Sequence, residues 1–488
     1  MRSRSRAPLA ALSLALAVVC PGPTPAADPS PGLPPGERWL EHFRRDLLPF
    51  WNLPDAFGSP RGSFPTWRCD DGRLPDPARP CAELRDLPPW MAEGLGRQYV
   101  RMVSRQTYFY GVAFHLSGDK AMLELARDGV NFIRAHALDR EGSAVTWLKD
   151  GRPAGPAVLE RTAQDEAYAL VGLAMYYDLT RDPQVLRDIV RLKEHVFREY
   201  WDEGWGMLRW VVRDSSGAGE EKRQELVAQL DQLNAYLLLV TPLLPEPQRT
   251  AWKADLLRLA RLLRGQFFAP EQHMYYGTLG TPGSETVEGR HNDFGHSAKA
   301  LWMTERIALL TGDGELLHFA RYEAGQLLRR ALLPDGTWAS RPAPGGGLDA
   351  GKEWWIFAEL DELCATLSLS NPVFAPILEK TYAFWLAHMP DPVGHEVFGW
   401  VGANGQPGPG PKIHLWKSGY HSAEHALVAY LTTKALRQEP AALYFAFEGE
   451  PGAYRPYYFE GEVLRVEPLP ARGAGDRPVV KVTFGDLK

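Results

Sequence analysis

Leu116-Ser-Gly-Asp119, Leu179-Thr-Arg-Asp182 and Leu310-Thr-Gly-Asp313 are three near-copies of one tetrapeptide, and Leu367-Ser-Leu-Ser-Asn371 is a looser fourth. Their last residues stand 63, 131 and 58 positions apart, so a unit of roughly 65 residues recurs, with one junction degraded near Glu246. A regular period of that length marks a fold assembled from copies of one supersecondary unit. Each closing Asp or Asn is placed to cap the following helix by accepting a backbone N–H.

Working outward from these corners, apolar periodicity near 3.6 predicts helices near 37–50, 88–116, 120–137, 159–179, 183–201, 221–243, 247–268, 293–311, 314–332, 352–369, 373–388 and 419–435. These make six pairs. The members of a pair are joined by longer Gly- and aromatic-rich segments, such as Asp139-Arg-Glu-Gly-Ser143 and Asp335-Gly-Thr-Trp338, which read as short β-hairpins. An open solenoid needs polar capping repeats, and none is evident, so the expectation is an all-α, closed (α/α)6 barrel. Closure gathers the long loops around one mouth, where a pocket forms. From about 438 the texture turns to short strands, a small C-terminal β appendage.

The chain starts with Arg2, Arg4 and Arg6, an apolar run from Ala7 to Val19, then small residues up to Ala27. That order predicts a secretory signal over 1–27, followed by a Pro-rich linker at 28–36, the barrel at 37–437 and the appendage at 438–488. The expected location is therefore periplasmic or secreted. Cys20 raises a lipoprotein alternative, disfavoured by the bulky Val19 before it. The apolar run is too short for a membrane span. An oxidising compartment permits a Cys69–Cys81 disulfide, worth about 3 kcal/mol for so small a ring. Cys364 reads as a buried apolar residue, and the four cysteines lack the spacing of a metal site. A net charge of −6 without long runs excludes a nucleic-acid partner.

Two histidines stand where a long loop enters an inner helix: His296 in Asn292-Asp-Phe-Gly-His-Ser-Ala-Lys299, and His421 in Trp416-Lys-Ser-Gly-Tyr-His421. Imidazole titrates near neutrality and serves as general acid or base. Arg105 lies inside an apolar stretch, where a guanidinium must be paired or used. In Lys352-Glu-Trp-Trp-Ile-Phe-Ala-Glu359, Trp355 and Glu359 share one helix face.

Gly295-His296, Lys352-x-Trp-Trp-x-x-Ala-Glu359, Trp416-Lys-x-x-Tyr-His421 and Arg105-Gln, in that company, resemble the N-acylglucosamine 2-epimerase superfamily, which includes cellobiose 2-epimerases and mannose isomerases. Leu48-Pro-Phe-Trp51 and Glu288-Gly-Arg290 add to the likeness, which runs from about Glu37 to Leu436. The resemblance implies an (α/α)6 barrel that epimerises or isomerises a mono- or disaccharide at C2 with no cofactor and no metal. It makes His296 and His421 an acid/base pair on opposite faces of C2, passing through an enediolate, with Arg105 on a sugar oxygen. Trp355, Glu359 and Trp416 then line the site, and Tyr108, Asn234, Lys299 and Lys352 complete the candidate wall. The chain departs from the family at Lys299, where Glu is usual, at Ala235 in place of a third histidine, and at Glu424 in place of Arg. Two alternatives follow: a glycoside hydrolase or lyase using Asp165, Glu166 and Glu359, or a non-catalytic glycan binder.

Overall fold

A computed structural model describes residues 32–149, 151–153, 161–214, 217–470 and 477–488. The signal segment, Cys20 and the start of the linker lie outside the described residues, as does most of the turn expected at 471–477. Twelve principal helices follow the corners: α1 (Gly36–His42), α2 (Val100–Ser117), α3 (Lys120–Phe132), α4 (Ala163–Thr180), α5 (Pro183–Glu199), α6 (Leu226–Gln232), α7 (Gln248–Leu262), α8 (Phe294–Thr311), α9 (Gly314–Ala331), α10 (Trp354–Ser370), α11 (Ala375–His388) and α12 (Tyr420–Leu436). Several run on through π-helical turns, including Phe43–Leu47 after α1 and Leu233–Leu237 after α6.

The corner residues cap as their chemistry dictates. Asp119 accepts from the Ala121 N–H, Asp182 from Gln184, Asp313 from Leu316 and Asn371 from Val373. Helices after a corner are one-sided: α5 buries Val185, Ile189, Leu192 and Val196, a single stripe. Helices before a corner are buried all round, as α2 is from Val100 to Leu116. The even-numbered helices therefore form the inner ring, each packing on the next, and α12 returns onto α2 to close it. The barrel is closed, as the missing end caps require. No described helix is long and apolar enough to cross a membrane.

Two-residue strands pair at the N-terminal ends of the inner helices: Gln224–Glu225 with Thr278–Leu279, and Lys352–Glu353 with Trp400–Val401. This is the mouth. The C-terminal strands β1 (Ala441–Phe445), β2 (Glu462–Pro468) and β3 (Val480–Gly485) form an antiparallel sheet in the order β1-β3-β2. The sheet covers the opposite end, where the Ala446 N–H donates to Leu179 O and the His115 ring bonds Tyr444 O.

The helix expected over 88–116 is corrected. Pro88-Pro89 starts a separate turn, Pro89–Ala92, and the chain then unwinds through Gly96 at φ +77° before α2 begins. Two prolines and a left-handed glycine break a periodicity that apolar spacing alone suggested. Cys69 and Cys81 are joined by a disulfide in the preceding loop, and Cys364 is buried. Cys69→Ser is expected to lower the unfolding free energy by about 2–4 kcal/mol, measured as a lower denaturant midpoint at unchanged slope.

Candidate active site

At the mouth lies a cavity of about 420 Å³, walled by His296, His421, Arg105, Lys299, Trp355 and Trp416 among others. Its position follows from the inner helices, whose N-termini turn their positive dipole ends to the same space.

Asp293 caps α8 and orients the first histidine at once. One carboxylate oxygen accepts the His296 N–H at 2.8 Å, and the other holds the His296 Nδ1 at 2.7 Å. The carboxylate thereby fixes the orientation of the ring through Nδ1. Burial alone would raise the Asp293 carboxyl, but the neighbouring His296 holds it below the ordinary value. The Trp355 indole packs between the two histidines, its ring 4.6 Å from His296 and 6.1 Å from His421. Gly295 permits this approach, since a Cβ there would stand 2.6 Å from the indole.

His421 opens α12 with Nδ1 3.6 Å from Glu359 Oε1. Burial, then the Arg105 and Lys299 cations, push it well below the usual imidazole value, so the ring is neutral. Arg105 donates from Nη1 to Trp416 O at 2.6 Å and lies 3.9 Å over the Tyr168 ring. Its buried Nε finds no hydrogen-bond partner among the described residues, leaving an N–H for a ligand oxygen.

Lys299 resolves one of the departures. Its Nζ lies 2.5 Å from Asp231 Oδ1 and 3.3 Å from the Tyr168 hydroxyl. Burial would strip its proton, but Asp231 outweighs that and keeps it charged. Gln164 and Tyr168 complete the shell around Asp231 at 2.7 and 3.1 Å.

Glu359, Tyr108, Asn234 and Lys352 stand off the cavity wall. Glu359 sits behind His421, accepting from Trp302 Nε1 at 2.8 Å, and burial with nearby Glu424 pushes its carboxyl up to about 8. Tyr108 is deeper still, its hydroxyl 2.5 Å from that of Tyr457 and 3.4 Å from Glu424 Oε1. Asn234 accepts from Tyr420 at 3.0 Å. Lys352 points into the hairpin and donates to Trp338 O at 2.8 Å. These side chains were expected at the wall because helical spacing gives a residue's face but not its depth along the barrel.

The cavity also holds His291 and His414, which sequence reasoning missed. Burial pushes both rings down to about 3. Both precede helices in loops, where no periodicity marks them. Trp90 reaches the rim from the separate Pro89–Ala92 turn, 5.9 Å from the His414 ring. Asp165 is bound to Arg101 at 2.6 Å, and Glu166 accepts the Ala144 N–H at 2.8 Å. Arg161 pairs with Asp139 rather than with the Asp165-Glu166 face. Among the described residues, the one cluster with metal-ligand geometry is Cys69, Cys81 and Glu83, whose thiols are spent in the disulfide.

No protein-family model matches the chain. It is 22% identical over 411 residues to a cellobiose 2-epimerase of Eubacterium cellulosolvens, covering 78% of this chain and 94% of that one. The fold matches the solved cellobiose 2-epimerase of Bacillus thermoamylovorans at TM-score 0.67 and 17% identity, over 81% and 98% of the two chains. The chain is thus similar in sequence to cellobiose 2-epimerases and shares their fold. A second relative, the cellobiose 2-epimerase of Ruminococcus albus, is 23% identical over 271 residues, 52% of this chain and 66% of that protein, just under two thirds of its length. A D-mannose isomerase has the same fold, at TM-score 0.64 and 14% identity, over 83% of this chain and 99% of that one.

Glu359 binds its proton more tightly in the folded chain than in the unfolded one. Its contribution to stability is full below its ordinary value of 4.5 and is lost as pH rises toward about 8. Glu359→Gln is expected to flatten the decline in Tm between pH 5 and 8.

Proposed function

We propose that the protein is an exported sugar 2-epimerase or aldose–ketose isomerase that works by proton transfer at C2 of a mono- or disaccharide. The convergence of His296 and His421, from two inner helices, on one cavity around Trp355 carries this reading. His421, kept neutral, takes the proton alpha to the open-chain carbonyl. Arg105 donates its unengaged Nε–H to the oxygen on which charge develops, as an oxyanion hole does. His296 returns a proton to the opposite face of C2, for epimerisation, or to C1 once the O2 proton has passed to O1, for isomerisation, with Asp293 as its counter-charge. Such chemistry moves protons only and needs no redox cofactor. Trp355 and Trp416 offer flat apolar faces to a sugar ring. Export is supported by the basic and apolar start of the sequence and by the Cys69–Cys81 disulfide.

The test is incubation of the mature protein in D2O with aldoses, ketoses, N-acyl hexosamines and β-linked disaccharides, read by NMR. An accepted sugar gains deuterium at C2. New reducing ends without exchange indicate a hydrolase, and saturable binding with neither indicates a glycan binder. Trp355→Ala is expected to raise KM about fivefold, since a stacking platform is worth about 1 kcal/mol, while sparing the protein's fold.

A further inference from the structure

Beneath His421 three buried carboxyls lie close enough to interact: Glu359 and Glu362 on α10 and Glu424 on α12. The C-terminal segment between β1 and β2 reaches up to them. Tyr457, in a left-handed conformation at φ +58°, puts its hydroxyl 2.5 Å from Glu424 Oε1 and 2.5 Å from the Tyr108 hydroxyl.

We propose that Tyr457 is a positioning residue for the reaction at the opposite mouth: by donating to Glu424 it keeps that carboxyl the ionised member of the cluster, which leaves Glu359 neutral beside His421 and His421 free to act as a base. The activity part of this rests on the isomerase reading; the proton placement does not.

With Glu424 ionised its oxygens only accept, so Tyr457 donates to it at 2.5 Å, and Tyr108, farther off at 3.4 Å from the same oxygen, bonds the Tyr457 hydroxyl. Carboxyls sharing a buried site cannot all ionise, and the one fed by O–H donors ionises first. The groups facing the cluster agree with this order. Lys299 with Asp231 approaches from the α8 and α6 side, Arg306 stands by Glu362, Tyr420 and His421 lie on α12, and Tyr458 lies beside Tyr457. Burial raises all three carboxyls, and the Glu424 charge raises Glu359 and Glu362 further. A neutral Glu359, 3.6 Å from His421 Nδ1, does not attract a proton onto that ring; an ionised one does.

The experiment compares wild type, Tyr457→Phe and Tyr458→Phe in the full chain, with glutamate carboxyl carbons labelled with 13C and titrated by NMR. Tyr458 has a hydroxyl with no hydrogen-bond partner among the described residues, so it controls for a merely structural change. In wild type a glutamate carboxyl titrates near pH 8; in Tyr457→Phe it moves down by about one pH unit, and in Tyr458→Phe it stays. The acid limb of kcat for C2 exchange rises by a similar amount in Tyr457→Phe at unchanged KM. If that variant folds poorly, Glu424→Gln removes the same charge and is expected to shift both readouts in the same direction. Unmoved titration and pH profile in a folded Tyr457→Phe overturn the proposal, as does a loss of activity with an unmoved profile. A shifted titration in a protein that exchanges no sugar hydrogen supports the proton placement and rejects the isomerase reading.

Discussion

His296→Ala and His421→Ala are each expected to lower C2 deuterium exchange by about 10²–10⁴-fold, with both variants folded and still binding sugar. The magnitude is that of a positioned general acid or base. The two losses should differ in what they spare. His421 faces a neutral carboxyl and two cations, so its role is to hold a lone pair. His296 is tied through Nδ1 to Asp293, and Asp293→Asn is expected to weaken both the ring orientation and the start of α8. Exchange that survives both alanine variants would rule out a histidine pair.

Lys299→Met is expected to destabilise the protein by about 3–5 kcal/mol, read as a large drop in denaturant midpoint. The reason lies in what stays behind. Asp231 is 2% exposed, and without the Lys299 cation its charge keeps only the Gln164 and Tyr168 dipoles. Replacing both partners, Lys299→Met with Asp231→Leu, is expected to recover most of the loss, since no lone buried charge remains. Recovery would establish Lys299 and Asp231 as one coupled pair. Equal loss in single and double variants would instead give Lys299 a packing role of its own.

The repeated Leu-Ser/Thr-x-Asp corner made the architecture legible, because capping and helical periodicity are local and appear in sequence as spacing. The inner position of His296 and His421 followed from the same register. What stayed hidden was depth and partnership. Tyr108, Asn234 and Lys352 share faces with cavity residues yet sit below or beside the cavity, bonded elsewhere. His291 and His414 reach it from loops, whose course no periodicity reports. Only the packing of α8 against α6 brings Lys299 to Asp231.

The sequence by itself determined the six-hairpin period, the capped corners, the histidines at the helix starts and the family resemblance. Each depends on residues close along the chain or on a pattern that repeats. Only the tertiary structure decided that the C-terminal sheet seals the far end of the barrel and sends Tyr457 to Glu424. Those two residues lie on different elements, and the chain's fold, not its local spacing, brings their oxygens to 2.5 Å.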